Sequence, residues 1–290
     1  MRYTHTYRML LILLLIIVLL LLNLLLGSVS IPAQSIWNIL TGTGNEPVSW
    51  QNIVWKSRLP QALTALAAGA GLAVSGLQMQ TVFRNPLAGP SVLGISSGAS
   101  MGVAFVILLS GSLGGVALSR LGVMGEIALS VAAIIGSLSV MALIVYVSQK
   151  VKGNVTLLII GVMIGYVSNA VIGVLKFFSV EEDIRAYVIW GLGSFSRVSG
   201  NQMMLFVTLM AILLPLSFLL IKTLNLMLLG DGYARNLGLN IKRARLLVIV
   251  SAGVLTAIVT AYCGPIIFLG LAVPHLARAM FQTSDHRTLM

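Results

Sequence analysis

The sequence predicts an all-α polytopic membrane protein with about eight transmembrane helices. Of the 290 residues, 58% are hydrophobic and only 9% are charged, whereas soluble domains carry about 25% charged residues. Apolar runs recur along the chain, each close to the length of about 20 residues that crosses a bilayer as a helix. Short basic segments separate the runs, as expected of membrane orientation signals. The predicted spans, in a single domain of residues 1–290, lie near 9–27, 61–81, 92–110, 124–148, 155–178, 202–222, 246–263 and 266–280.

The first two spans differ in composition and therefore in predicted environment. The apolar run at 9–26 is longer than the core of about 7–15 residues found in a secretory signal, so we predict an uncleaved first span. The second span, at 61–80, is rich in Ala and Gly, which let helix backbones approach closely. We expect the second helix to be buried in the bundle and the first to face membrane lipid.

The distribution of positive residues predicts a cytoplasmic N-terminus, because cytoplasmic loops are enriched in Lys and Arg. The predicted cytoplasmic segments hold Arg2, Arg8, Arg84, Lys150, Lys152, Lys222, Arg235, Lys242, Arg243, Arg245 and Arg287. The predicted outer segments hold Lys56, Arg58, Arg120, Lys176, Arg185 and Arg197, together with most of the acidic residues. The net charge of +11 therefore indicates membrane orientation, and we expect no nucleic-acid partner, since that would need a basic patch on a soluble face.

Motifs for catalysis or proton coupling are weak. GISSG at 94–98 fits the nucleophile-elbow pattern, but that motif acts at a strand-to-helix turn, and the distant His275 has no acid near it in sequence. The chain has no phosphate-binding loop, and Glu126 is the one acid at a span edge, whereas proton-coupled carriers need intramembrane relays. Dispersed histidines and the single Cys263 offer no metal cage. We expect no enzyme activity, no metal and no cofactor, and energy for transport from another protein.

A polar segment, RNPLAGPSVLGISSGAS, occupies 84–100. Pro86 and Pro90 prevent a continuous helix there. Irregular backbone near membrane depth requires protein or a water-filled cavity around it. The segment is therefore either a cytoplasmic hairpin followed by a Ser-capped helix or part of a pathway lining, and both interpretations stay open.

A second polar segment, GDGYARNLGLNIKRARLL, lies at 230–247 between two apolar runs. Asp231 suits a helix start and Gly238 suits the left-handed position after a helix end, which predicts a helix of about 232–237. Asn240 can cap the start of the next helix. A helix of under two turns is not stable alone. The segment is thus either a connecting turn or a knob that another protein grips.

Several motifs together resemble the permease subunits of type II ABC importers, the group that takes up iron-siderophores, haem and cobalamin. The segment LGDGYARNLGLN is similar to the pattern of the coupling helix in that family. The other similar motifs are RLP at 58–60, the SG…MQ…RNPLA…LG…SSGA pattern within 75–99, WGLGSF at 190–195 and GPIIFLGLAVPHLAR at 264–278. These matches are spread over almost the whole chain.

The resemblance implies ATP-driven import by alternating access at the bacterial inner membrane. Two permease copies would form the pathway, two ATPase subunits would drive it, and a periplasmic or lipid-anchored binding protein would deliver the substrate. A coupling loop at about 224–245 would contact the ATPase through Gly230, Asp231, Ala234, Arg235, Leu237, Gly238 and Asn240. The binding protein would dock on Lys56, Arg58 and Gln61, and the cytoplasmic gate would contain Asn85 and Leu87 and, in a poorly matching turn, Gly153, Asn154 and Val155.

The sequence departs from the family in two ways. The family's outer rim typically reads R-L-P-R, whereas RLPQ keeps Arg58 and has Gln61 in place of the second arginine, with Lys56 as a substitute cation nearby. Family members usually have ten spans, so we expect the C-terminal helical hairpin to be missing. A truncated paralogue that does not transport, and a secondary carrier or channel acting without an ATPase, stay as alternatives. Iron-siderophore is the commonest substrate in the family, with haem and cobalamin as rivals.

Overall fold

The computed structural model describes residues 2–112, 123–151, 154–198 and 200–290. Arg120, Lys152 and Gly153, which the sequence places in loops, lie outside the described residues. All regular secondary structure in the described ranges is helical. The α-helices are α1 Arg2–Leu25, α2 Ala33–Thr41, α3 Val48–Ile53, α4 Leu59–Phe83, α5 Ile95–Ser112, α6 Val123–Lys150, α7 Asn154–Phe177, α8 Glu181–Gly191, α9 Gly200–Phe218, α10 Ile221–Leu228, α11 Asp231–Asn236, α12 Ile241–Cys263, α13 Leu269–Phe281 and α14 His286–Leu289.

Each of the eight predicted spans coincides with a helix, which confirms the all-α polytopic class. Among the described residues, five helices are long and apolar enough to cross a membrane, and a sixth span results if α9 and α10, bent by 46° at a short break, count as one. Helices α5 and α13 are apolar but shorter. The number of eight crossings therefore stays a prediction.

The burial predicted for the second span is confirmed, and the first span is largely exposed, while its contact with lipid stays a prediction. Only 6% of the apolar window of α1 is buried, against 61% for the helix that contains α4. The small residues of α4 explain its burial, because a Cβ atom on Gly76 would lie 1.6 Å from the carbonyl oxygen of Gly270 in α13. The two backbones are thus in direct contact, as small residues permit in membrane bundles.

Helices α5 and α6 pack in the same way. A Cβ on Gly102 would lie 2.2 Å from the carbonyl oxygen of Ala132, and one on Gly136 would lie 2.1 Å from that of Gly98. Close backbone contact of this kind replaces side-chain interdigitation and fixes the separation of the pair.

Polar contacts sort the helix ends into two groups. The start of α1 meets the end of α13, because Arg8 Nη1 donates to the carbonyl oxygen of Met280 at 2.6 Å. At the opposite end of the bundle, Gln202 Nε2 near the start of α9 donates to Glu126 Oε2 near the start of α6 at 3.2 Å. The end of the bundle that holds the start of α1, the end of α13 and helix α11 is called the α11 end below. The predicted up-and-down alternation of the chain agrees with these contacts.

Three helical pieces in the segments between spans were not predicted from the sequence: α2, α3 and α8. Helix α3 continues through a π-helical segment, Val54–Arg58, directly into α4. The sequence analysis assigned no secondary structure to these segments.

Candidate functional site at the α11 end

The segment 230–247 folds largely as predicted. Helix α11 spans Asp231–Asn236, close to the predicted 232–237. Gly238 has φ +85°, and the residues beyond the helix return their N–H groups to its last turn: Gly238 to Arg235 O and Leu239 to Ala234 O, both at 2.9 Å. This pair of bonds is the Schellman arrangement, which requires a left-handed residue such as glycine. The role of Gly238 as the terminator of α11 is confirmed.

The start of α11 differs from the prediction. Gly230, with φ +97°, occupies the position before the helix, and Asp231 is the first helical residue and makes no capping hydrogen bond. The carboxylate of Asp231 instead contacts two guanidinium groups: Arg84 at the end of α4, and Arg245 in α12 at 3.5 Å. The predicted cap is therefore an ion-pair residue that joins three elements.

Asn240 is a helix cap, as predicted. Its Oδ1 accepts the backbone N–H of Arg243 at 3.2 Å, in the first turn of α12. Since α12 is one of the long apolar spans, this cap marks the boundary between the polar segment and the membrane helix.

Helix α11 has a buried side and an outward side. Ala234 is fully buried and holds the helix against the bundle, whereas Leu237 and Tyr233 are exposed by 60% and 73%. Sequence analysis missed Tyr233, although its spacing of four residues from Leu237 places both on one face of a helix. The helix thus presents two large apolar side chains outward, together with exposed Arg235.

The predicted gate residues of the first turn follow directly after Arg84. Arg84 ends α4 in a left-handed conformation with φ +49°. Asn85 Oδ1 then accepts the N–H of Leu87 at 2.9 Å, an Asx turn that fixes the local backbone. Leu87 is 69% exposed. The structure therefore brings the predicted gate turn next to α11 through Arg84, a link that the sequence did not show.

The second predicted gate turn is less well defined. Val155 is exposed near the start of α7. Asn154 is the first residue of α7, its side chain is not among those described, and Gly153 lies outside the described residues. Helix α7 does pack against the chain just beyond the first gate turn, since a Cβ on Gly161 would lie 2.5 Å from the carbonyl oxygen of Val92.

A hydrogen-bond network centred on buried His286 lies beside the gate turn. His286 is fully buried, and its ring nitrogens contact Thr81 Oγ1 in α4 at 2.8 Å and Asn225 Oδ1 in α10 at 2.7 Å. Asn225 Nδ2 donates to Asp285 Oδ1 at 2.6 Å. Burial, followed by the charge of Arg278, lowers the pKa of His286 from 6.5 to about 4, and the nearby Asp285 opposes this in part. The ring is therefore neutral at pH 7.

Arg278 extends this polar region to α13. Its guanidinium donates to Gln80 Oε1, and Gln80 Nε2 donates to the carbonyl oxygen of Leu271 at 3.2 Å. Gln80 is buried, so these bonds satisfy an amide that would otherwise be costly inside the bundle. The end of α4 is thus tied to α13 as well as to α10.

The predicted docking residues for a binding protein lie at the opposite end, and one of them is not available. Arg58 is 5% exposed and donates to the carbonyl oxygens of Leu24 at 2.6 Å, Leu25 at 3.0 Å and Val29. These carbonyls at and beyond the end of α1 lack helical partners, so Arg58 acts as the C-terminal cap of α1. The prediction that Arg58 is available for docking is therefore corrected. Of the other two predicted docking residues, Lys56 is exposed and Gln61 is half-buried.

The weak catalytic motif has no supporting geometry. Residues 90–93 before it form a 3-10 helix and not a strand. Ser96 is buried and contacts Thr260 Oγ1 at 3.3 Å, while His275 is exposed on α13. In the ranges that the structure describes, no group of three His, Cys, Asp or Glu side chains could hold a metal.

Comparison with known proteins gives consistent matches. Residues 14–290 match the model of the FecCD transport family. The hemin transport system permease protein HmuU of Yersinia pestis is 35% identical over 266 residues, which are 91% of this chain and 76% of that protein. The vitamin B12 import system permease protein BtuC of Klebsiella pneumoniae is 36% identical over 83% of this chain and 69% of its own length. A solved metal-chelate type ABC transporter in an inward-facing conformation superposes with a TM-score of 0.79 at 29% identity, covering 95% of this chain and 82% of that one.

Proposed function

The chain belongs to the FecCD transport family, and on that premise we propose that it is the permease subunit of a type II ABC importer in the bacterial inner membrane. The observation that carries the proposal is the combination of the family match over 14–290 with a short, outward-facing helix α11 at one end of a helical bundle. The N-terminus and α11 face the cytoplasm, as the distribution of Lys and Arg supports.

Transport works by alternating access in this proposal. Two copies of the chain line the pathway, and a separate ATPase subunit binds each copy through α11 and its flanking residues. Tyr233 and Leu237 support this role, because exposed large apolar side chains on a short helix suit insertion into a groove on a partner. A binding protein docks at the opposite end, near Lys56 and Gln61.

The proposed cargo is a chelated metal: an iron-siderophore, haem or cobalamin. Support comes from the names of two relatives, which transport hemin and vitamin B12, and from the metal-chelate type of the structural neighbour. Haem and cobalamin arrive with their metal already coordinated, so a permease for them needs a wide pathway and no metal cage of its own.

The test of the ATPase contact compares two glycines that share a conformation. Gly238 and Gly42 both follow a helix end with positive φ, +85° and +69°, and a Cβ on either would meet no atom within 4 Å. Gly42 follows α2, which lies at the end of the bundle away from α11. Arginine at either position introduces a comparable backbone strain of roughly 1–3 kcal/mol, but only Gly238→Arg places a bulky charge beside the proposed ATPase contact.

We expect Gly238→Arg to abolish co-purification of the ATPase subunit, while Gly42→Arg retains it and both variants insert into membranes normally. Equal retention by the two variants would contradict the assignment of α11. Uptake of the chelate into vesicles that lack the ATPase would contradict the importer proposal as a whole and favour a secondary carrier.

A further inference from the structure

We infer that the cytoplasmic end of α4 is the element through which α11 acts on the gate turn, and that Arg84 and Thr81 are its positioning residues. The inference rests on the proposed function and adds to it a specific route from the ATPase contact to the gate. The route consists of two polar links from the last turn of α4. One is an exposed ion pair to the residue after Gly230, and the other passes through buried His286 to the helix before Gly230.

The exposed link is the ion-pair cluster on Asp231. One carboxylate oxygen contacts Arg84 and the other contacts Arg245 at 3.5 Å. The Arg84 and Asp231 side chains are 47% and 41% exposed, while Arg245 is 14% exposed. An exposed pair is weak and is screened by salt, so this link alone does not hold α4 to α11.

The buried link runs through His286. The amide of Asn225 is oriented by its donation to the Asp285 carboxylate, so its Oδ1 faces His286 and accepts both the backbone N–H, at 2.9 Å, and the ring Nδ1–H, at 2.7 Å. The neutral ring therefore has its free acceptor at Nε2, which lies 2.8 Å from the hydroxyl of Thr81. That hydroxyl shares its one proton between Nε2 and the carbonyl oxygen of Leu77, which also lies at 2.8 Å. His286 and Thr81 are buried, Asn225 is half-buried and Asp285 is exposed, so the contact between His286 and Thr81 is the part of the link that is shielded from water.

The positions of the two links explain why they act together. Asn225 lies in α10, before Gly230, and Asp231 lies in α11, directly after it. Thr81 and Arg84 are one helical turn apart at the end of α4, and the gate turn begins at the next residue. Because the end of α4 is attached to α10 and to α11 at two separate points, a displacement of these two helices moves it as a unit. With only one attachment, the end of α4 could pivot about that point.

The test measures substrate transported per ATP hydrolysed by the reconstituted complex with its ATPase and binding protein. The variant Thr81→Val with Arg84→Gln breaks both links from the α4 side and leaves α11 unchanged. We expect ATP hydrolysis and ATPase co-purification to persist while the transport ratio falls about tenfold, within the range typical of coupling between sites. Each single variant should lose less, because the remaining link still acts.

Two further variants separate positioning from general damage. Thr81→Val combined with Arg84→Lys keeps a cation beside Asp231 and should recover the transport ratio of Thr81→Val alone. Lys222→Gln removes an exposed cation from α10 without touching either link and should leave the ratio unchanged. A wild-type ratio in the double variant, or loss of ATPase binding by it, would overturn the inference. Failure of the wild-type complex to show any ATP-dependent uptake would instead refute the proposed function.

Discussion

A single methyl group on α4 should separate it from α13. In Gly76→Ala the new Cβ would start 1.6 Å from the carbonyl oxygen of Gly270, whereas carbon–oxygen contacts normally lie at about 3.3 Å or more. The Cβ position is fixed by the α4 backbone and the oxygen belongs to the α13 backbone, so no side chain can rotate away, and the helices must part by roughly 1.7 Å. Overpacking of this kind typically costs about 1–3 kcal/mol. Contacts next to it, including the bond from Gln80 to Leu271, would lengthen as well.

The control is Gly69→Ala on the same helix, where a Cβ would meet no atom within 4 Å. We expect it to be neutral or to raise stability by up to about 1 kcal/mol, because alanine has the higher helix propensity. The measurement is thermal unfolding of both variants in the same detergent, followed by chelate uptake in reconstituted vesicles. Equal stability of the two variants would show that α4 and α13 are not in backbone contact, and the packing described for the centre of the bundle would have to be revised.

The remaining predictions concern the two ends of the bundle. Burial lowers the folded-state pKa of His286 to about 4 from 6.5, so the unfolded chain binds a proton first as the pH falls. The free energy of unfolding should therefore be level above pH 6.5 and decline towards pH 4, by up to about 3 kcal/mol. In thermal unfolding measured across this pH range, His286→Gln should remove that part of the decline. Arg58→Gln should lower the free energy of unfolding by about 2–3 kcal/mol, because the carbonyl oxygens at the end of α1 lose their buried donor. The affinity of the permease for the binding protein should not change. A variant of normal stability that binds the binding protein less tightly would show that Arg58 has a docking role. In a chain without Cys263, an impermeant thiol reagent should modify Leu237→Cys only from the cytoplasmic side and Val48→Cys only from the other, and the reverse pattern would refute the orientation.

Features set by local sequence were predictable. The Ala and Gly content of the second span predicted its burial, and the Leu-Gly-Leu-Asn pattern at 237–240 predicted both the end of α11 and the start of α12. Each depends on backbone preferences within a few residues, which a sequence displays directly. The family resemblance also required only contiguous motifs.

Features that depend on distant partners were not predictable. Asp231 was predicted to cap its own helix, because nothing marks Arg84, 147 residues earlier, as its partner. The family resemblance implied a docking role for Arg58 at the outer rim, whereas the π-helical segment that ends there changes the helical register and accompanies a side chain turned towards α1. The role of His286 was not predicted, because its hydrogen-bond partners lie in helices that are far from it in the sequence.

The poor match of α4 to lipid has a consequence for biosynthesis. Among the five long spans it has the least apolar window, and Ala and Gly give it little tendency to leave the translocon for the bilayer. Helices α12 and α13, which cover it in the finished bundle, emerge from the ribosome much later. The strongly apolar α1 precedes α4 in synthesis, and in the folded chain Arg58 ties the start of α4 to the carbonyl oxygens at the end of α1. We therefore expect the first span to hold the second in the membrane until α12 and α13 are made.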